Sequence, residues 1–145
     1  MSKLLYLVAV DGSEWANRAA ERAVHLAEKT HAKVKFLSVI NWPFIQPVTL
    51  EGMAPPVLDR GSEERYNKEK VLMPLINKHQ DSGVELSAET LWGEPVDVIR
   101  EQIKQQHANM VFVGRRGRSN LADIILGSVA NKLAHCVGIP IVLVP

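Results

Sequence analysis

A glycine- and arginine-rich segment at residues 114–128 is the part of the sequence best suited to binding chemistry. It reads Gly-Arg-Arg-Gly-Arg-Ser-Asn-Leu-Ala-Asp-Ile-Ile-Leu-Gly-Ser, follows the apolar residues 110–113 and precedes a stretch of helical composition. A glycine-rich turn from a strand into a helix presents backbone N–H groups that can converge on an anion. Glycine also leaves no Cβ to block the ligand. The segment therefore predicts a phosphate-binding loop, to which Arg115, Arg116 and Arg118 add positive charge.

A second candidate turn, Asp11-Gly12-Ser13, follows the first apolar stretch of the chain. Residues 4–10 are nearly all apolar, which is typical of a strand buried on both faces of a parallel sheet. Ser13 is a favourable N-cap residue for the alanine-rich helix that follows. The turn can therefore contribute a carboxylate to a site, or it can simply start a helix.

The glycines of the 114–128 segment also have a simpler interpretation. Gly114 and Gly117 can serve only to permit close packing where a strand ends. Gly127 and Ser128 can do no more than begin the next helix. The three arginines can equally well lie on a solvated loop, so both interpretations stay open at this point.

The remaining elements alternate along the chain. Apolar or alternating stretches predict five strands, near residues 4–10, 34–40, 84–92, 110–113 and 141–144, with four helices between them. Ser62 is the expected N-cap of the second helix, Pro74 predicts a kink or break near Met73, and Gly83 ends that helix. Residues 41–61 contain many prolines and glycines and predict a long loop, either a functional lid or disordered. The pattern indicates an α/β fold with a doubly wound parallel sheet.

Composition narrows the class of protein. The 145 residues predict a single domain spanning 1–145, and the formal net charge of +1 gives no bulk attraction to nucleic acid or to an anionic membrane. The lone cysteine, Cys136, cannot form an internal disulfide and suits a reducing compartment. The sequence shows neither a signal peptide nor an apolar run long enough to insert into a membrane. We therefore expect a cytoplasmic protein.

The spacing Gly-x2-Gly-x9-Gly-Ser resembles the signature of the nucleotide-binding subgroup of the universal stress protein (UspA-like) family. Residues 8–13 are similar to that family's first strand and aspartate turn, residues 93–95 to a later strand-to-helix corner, and residues 139–144 to its closing strand. The resemblance implies a Rossmann-like, adenine nucleotide alpha hydrolase-like fold with strand order 3-2-1-4-5. In that order the Asp11 turn and the Gly114 segment follow neighbouring strands.

The resemblance also implies roles for individual residues around an adenine nucleotide. Ala9 and Asp11 would line the adenosine end beside the Ser13 turn, and Val39 would offer backbone groups to the adenine edge. The phosphates would be held by Gly114, Gly117, Gly127, Ser128 and Val129, with Arg115 and Arg118 nearby. The residue after Val129 is often a small hydroxyl residue in nucleotide binders, whereas this chain has Ala130.

The implied ligand is ATP or another adenine nucleotide, with Mg²⁺ or Mn²⁺ on its phosphates. The closing strand Ile141–Val144 would lie at an apolar sheet edge, which invites pairing, and proteins of this family commonly pair it across a two-fold axis. We therefore expect a homodimer that acts as a nucleotide-dependent stress-response or signalling module. Whether such dimers form tetramers stays open.

Signatures of an enzyme are missing from the sequence. It contains no P-loop, no Gly-x-Gly-x-x-Gly fingerprint and no Gly-x-Ser-x-Gly elbow, and its histidines are scattered. Trp42 and Trp92 suit packing better than stacking on a base. We predict no catalytic residue and no metal-ligating side chains. Two alternatives remain: slow ATP hydrolysis or phosphotransfer assisted by the arginines, and a nucleotide-free dimerisation module.

Overall fold

The computed structural model describes residues 3–41, 60–116 and 127–145. Its centre is a parallel five-stranded sheet in the order β3-β2-β1-β4-β5. The strands are β1 (Leu5–Ala9), β2 (Lys33–Ile40), β3 (Leu86–Trp92), β4 (Met110–Gly114) and β5 (Ile141–Val144). The predicted strand order is confirmed, and each strand lies where the sequence predicts it.

Helices cover both faces of the sheet. They are α1 (Glu14–Thr30), α2 (Arg60–Asn67), α3 (Met73–His79), α4 (Pro95–Gln106) and α5 (Ser128–Cys136). Alternate residues of β1 point to opposite faces: Tyr6 and Val8 enter the core under α1 and α3, whereas Leu5 and Leu7 enter the core under α4 and α5. Because both of its faces are buried, β1 is apolar throughout, as predicted, whereas the edge strand β3 carries Ser87, Glu89 and Thr90.

The second predicted helix is a continuous helical run whose regularity is broken once. A π-helical turn, Lys68–Leu72, separates α2 from α3, and the Met73 N–H donates to the carbonyl of Lys68. Pro74, in the first turn of α3, has no N–H and so cannot continue an α-helical ladder. A break near Met73 was predicted from this proline and is confirmed. It takes the form of a π turn.

The ends of this run differ in how well they were predicted. Gly83, in the left-handed conformation with φ 79°, follows a short 3₁₀ turn and ends the run as expected. The predicted start was wrong, because the chain is already helical at Arg60 and Ser62 therefore is not the N-cap. None of the helices in the described ranges is long and apolar enough to cross a membrane.

Candidate functional site

The two predicted binding segments follow the carboxyl ends of two neighbouring strands. Strands β1 and β4 are parallel neighbours, with Tyr6 beside Met110 and Val8 beside Phe112. The chain continues from β1 to β2 on one side, while β4 and β5 lie on the other, so the strand order reverses between β1 and β4. Doubly wound sheets bind ligands in the crevice beyond the carboxyl ends of such strands. The Asp11 turn and the start of the 114–128 segment border this crevice.

The Asp11 turn is rigidly built from local hydrogen bonds. Gly12 has a φ of 86°, which favours glycine. The Asp11 Oδ1 accepts a hydrogen bond from the Ser13 N–H at 2.9 Å, and the Ser13 Oγ accepts one from the Ala16 N–H at 3.2 Å. Ser13 is thus the N-cap of α1, as predicted. The turn holds the half-buried Asp11 carboxylate at the mouth of the crevice.

Gly114 serves the packing of α1. A Cβ at this position would lie 2.8 Å from both the backbone carbonyl carbon and the Cβ of Trp15. The first turn of α1 therefore fits over the end of β4 only because residue 114 is glycine, which favours the packing interpretation here. The guanidinium of Arg116 lies 5.8 Å from the centre of the Trp15 ring. A glycine in the sequence can indicate that another group packs closely against the backbone, but the sequence does not show that this group is Trp15.

The backbone of Arg115 connects the two described ends of the 114–128 segment. Its N–H donates to the carbonyl of Val144 at the end of β5 at 2.7 Å, and its carbonyl accepts from the Gly127 N–H at 2.8 Å. These bonds bring the two ends of the 114–128 segment together at the sheet edge. Its side chain is exposed. Gly117 and Arg118 lie outside the described residues, as does most of the predicted 41–61 loop.

No side chain among the described residues caps the N-terminus of α5. Gly127 occupies the N-cap position, and its carbonyl accepts from the Asn131 N–H at 2.9 Å. The N–H groups of Ser128, Val129 and Ala130 therefore have no partner within the helix. They form the positive end of the α5 dipole. Gly127 and Ser128 do begin a helix, and no described side chain accepts from the N–H groups of its first turn.

The predicted site residues that the structure describes are all partly or fully exposed, namely Ala9, Asp11, Ser13, Val39, Gly114, Arg115, Gly127, Ser128 and Val129. Three of them, Ala9, Val39 and Val129, pack on the rim of the core beneath α4 and α5. The crevice therefore has an apolar wall on this side, and it is bordered by the Asp11 turn and the α5 N-terminus.

Asn41 is a residue that the sequence analysis did not single out. It directly follows β2 at the same sheet edge, and its Oδ1 is buried without a hydrogen-bond partner in the part of the chain described. Buried amide oxygens are nearly always paired, so an unpaired one calls for an explanation. A donor on a bound molecule would satisfy it. An asparagine at the start of a loop gives no such signal in sequence.

The comparisons with known proteins agree along most of the chain. The model of the universal stress protein family matches residues 6–145. Universal stress protein YxiE of Bacillus subtilis is 32% identical over 144 residues, covering 95% of this chain and 96% of YxiE. A universal stress protein solved in complex with cAMP aligns with TM-score 0.70 and 23% identity, over 99% of this chain and 98% of its own. One from Archaeoglobus fulgidus, solved in complex with dAMP, gives 0.69 and 20% over the same shares.

The structure is that of an α/β protein whose Rossmann-like sheet has a crevice at the point where the strand order reverses. With a family model that spans nearly the whole length, the assignment becomes specific. The chain belongs to the universal stress protein family. The predicted membership of this family is thereby confirmed.

Proposed function

We propose that this protein binds an adenine nucleotide, ATP with Mg²⁺ or Mn²⁺, and acts as a nucleotide-dependent stress-response module. The observation that carries the proposal is the N-terminus of α5, which no described side chain caps and which the hydrogen bond between Gly127 and Arg115 holds at the end of β4. An uncapped helix N-terminus favours a phosphate. Structures of similar fold were solved with cAMP and with dAMP, which supports an adenine nucleotide as the class of ligand.

The proposal assigns the phosphates to the first-turn N–H groups of α5 and the Ser128 hydroxyl, with Gly117 and the arginines of the loop around them. Ala9, Asp11 and Val39 would contact the adenosine. The unpaired Asn41 oxygen would accept a hydrogen bond from the adenine amino group, a fit between the orphaned acceptor and the donor that adenine offers.

The cation in this proposal would be held chiefly by the phosphates. Within the described ranges, no three side chains of His, Cys, Asp or Glu lie close enough together to hold a metal ion. We also propose that residues 1–145 form one domain and that the protein acts in the cytoplasm.

We further propose that the protein is a homodimer joined through β5. The Val111 N–H donates to the Pro140 carbonyl and the Arg115 N–H to that of Val144, so the even-numbered residues of the strand bond to β4. The backbone groups of Ile141 and Leu143 therefore point away from the sheet. Antiparallel pairing about a two-fold axis at Val142 would match each Ile141 with Leu143 of the second copy. Such an isologous contact closes by symmetry.

The nucleotide site is tested by replacing the helix cap. Gly127 has a φ of −54°, which other residues adopt, so Asp at this position can cap α5 with its own carboxylate. Gly127→Asp should keep the fold but fill the anion position with negative charge. Mg-ATP at about a hundredfold excess over Kd should stabilise the wild type by about 2.7 kcal/mol, a rise of several degrees in Tm.

Gly138→Asp is the matched control, because it makes the same charge change just beyond the other end of α5. A Cβ at Gly138 meets no atom within 4 Å. The control should keep the Mg-ATP shift and Gly127→Asp should lose it. A shift that survives in Gly127→Asp would contradict the proposed site.

A further inference from the structure

Strand β3 forms the other edge of the described sheet, opposite β5. The Val34 N–H donates to the Glu85 carbonyl and the Gly93 N–H to that of Ile40, both at 3.0 Å. These bonds fix the alternation: the backbone groups of Ser87, Glu89 and Leu91 point toward β2, and those of the residues between them point outward. Leu86, Ala88 and Thr90 thus present N–H and C=O groups along an edge that no described strand covers.

A groove runs beside this edge on the face covered by α2 and α3. The helical run contributes the apolar Leu72, Met73 and Ile76 and the charged Glu64 and Lys68 to one wall, and Ala88 and Thr90 lie on the strand side. Met73 is 36% exposed, an unusual position for a large apolar side chain next to an open edge. Ala88 is small enough to leave room above it. An apolar side chain seated over Ala88 would bury this surface.

The opposite face of the edge carries Glu89, and Glu85 lies just before the strand. Glu89 points to the α4 side, where its carboxylate accepts from the Lys35 Nζ at 2.7 Å while 41% of its side chain stays exposed. Glu85 is exposed as well. A residue that pairs with Glu89 from a neighbouring strand would lie directly opposite this carboxylate. Opposite charges at such positions stabilise a strand pair.

We propose that the β3 edge binds an extended peptide segment of another protein as an added strand. The segment would alternate apolar residues, which enter the groove over Ala88, with basic residues, which face Glu89. A second copy of this chain fits less well: if β5 already pairs two copies, self-pairing at β3 would extend the assembly into an open ribbon. Backbone hydrogen bonds from the edge would give affinity for any extended segment. The groove and the glutamates would select among segments of different sequence.

The test uses the synthetic peptide acetyl-Thr-Val-Lys-Val-Lys-Val-Thr-amide, titrated into the full-length protein and followed by amide NMR and hydrogen exchange. We expect saturable binding that slows exchange at Leu86, Ala88 and Thr90, whose amides exchange rapidly in the free protein. The amides of Ser87, Glu89 and Leu91 should be protected with or without peptide. Proline in place of the central Val, or Glu in place of both Lys, should abolish binding.

Two variants of β3 localise the contact. Ala88→Gln fills the floor of the groove and should weaken binding by about tenfold. Ser87→Gln adds the same side chain on the opposite face and should leave the affinity unchanged. Three results would overturn the proposal: no saturable binding, equal weakening by both variants, or slow exchange at Ala88 and Thr90 without peptide. Slow exchange without peptide that increased with protein concentration would identify a second copy as the occupant. Slow exchange that did not depend on concentration would mean that this chain itself covers the edge. None of these outcomes depends on nucleotide binding.

Discussion

At the scale of single residues, His79 has the most distinctive environment for a titratable side chain in the described ranges. Its Nε2 is buried without a hydrogen-bond partner, and its ring lies 6.4 Å from that of Phe36. Burial lowers the pKa of His79 below its ordinary value of 6.5, and the neighbouring Lys78 lowers it further. Glu21 and Glu28, on α1, act in the opposite direction without reversing the shift.

This lowered pKa predicts a loss of stability in mild acid. Between the folded pKa and 6.5 the unfolded chain binds more protons at His79 than the native protein does, so the contribution of His79 to the free energy of unfolding is largest above 6.5. It should fall as the pH drops from 6.5 through the folded pKa. His79→Phe should flatten this dependence in urea unfolding experiments, whereas His25→Phe, at an exposed position of α1, should not. An unchanged slope in His79→Phe would assign the acid sensitivity to other groups.

Asn41 gives a second prediction at this scale. If its buried oxygen accepts from the adenine amino group, Asn41→Leu should weaken ATP binding by about tenfold, the value of one such hydrogen bond. The free energy of unfolding should not fall, because that oxygen has no protein partner to lose among the described residues. ITP carries a carbonyl where ATP has the amino group, and calorimetry should show the wild type, but not the variant, preferring ATP. Equal affinities in the wild type would remove Asn41 from the site.

At the scale of elements, Asn67 fastens the helical run to the sheet. Its Nδ2 donates to the Ser38 Oγ at 2.8 Å, and its Oδ1 accepts from the Thr90 hydroxyl at 2.7 Å. Ser38 is 1% exposed. Asn67→Leu would leave both hydroxyls unpaired and should cost about 2–4 kcal/mol in the free energy of unfolding. Asn77→Leu, the same change at an exposed position of α3, should cost little. Equal effects in urea unfolding would refute this role.

The sequence predicts elements better than it predicts the contacts between them. Apolar runs reveal the central strands because both sheet faces are buried there. Pro74 marks a break because its lack of an N–H can be read directly from the sequence. The form of that break, a π turn over Lys68–Leu72, has no such local signal. Likewise, glycine at 114 is visible in sequence, but the approach of Trp15 is a result of tertiary packing.

The same division applies to the candidate site. Its two segments were found from their turn chemistry, and the strand order implied by the family resemblance placed them at one crevice. The unpaired Asn41 oxygen could not be found in this way, because only folding decides which amides are left without partners. The proposed site therefore includes a contact that no motif contains.

At the scale of the whole molecule, the proposed dimer makes the strongest prediction. Leu143 is 39% exposed on β5, and Leu4 is 44% exposed just before β1. Leu143→Lys would place a charge in the two-fold contact and should give monomers in sedimentation velocity. Leu4→Lys removes an equally exposed leucine away from that strand and should remain dimeric. Dimers that persist in Leu143→Lys would mean that another surface joins the two copies.

The π turn at Lys68–Leu72 also bears on how this chain evolved. A π turn contains one residue more than an α-helical turn, as a single insertion into a regular helix would produce. Removing that residue would rotate α2 by about 100° against α3, since each helical residue turns by that amount. Asn67 would then leave Ser38 and Thr90. Relatives that lack the extra residue should therefore also lack this asparagine, and the two traits should be inherited together.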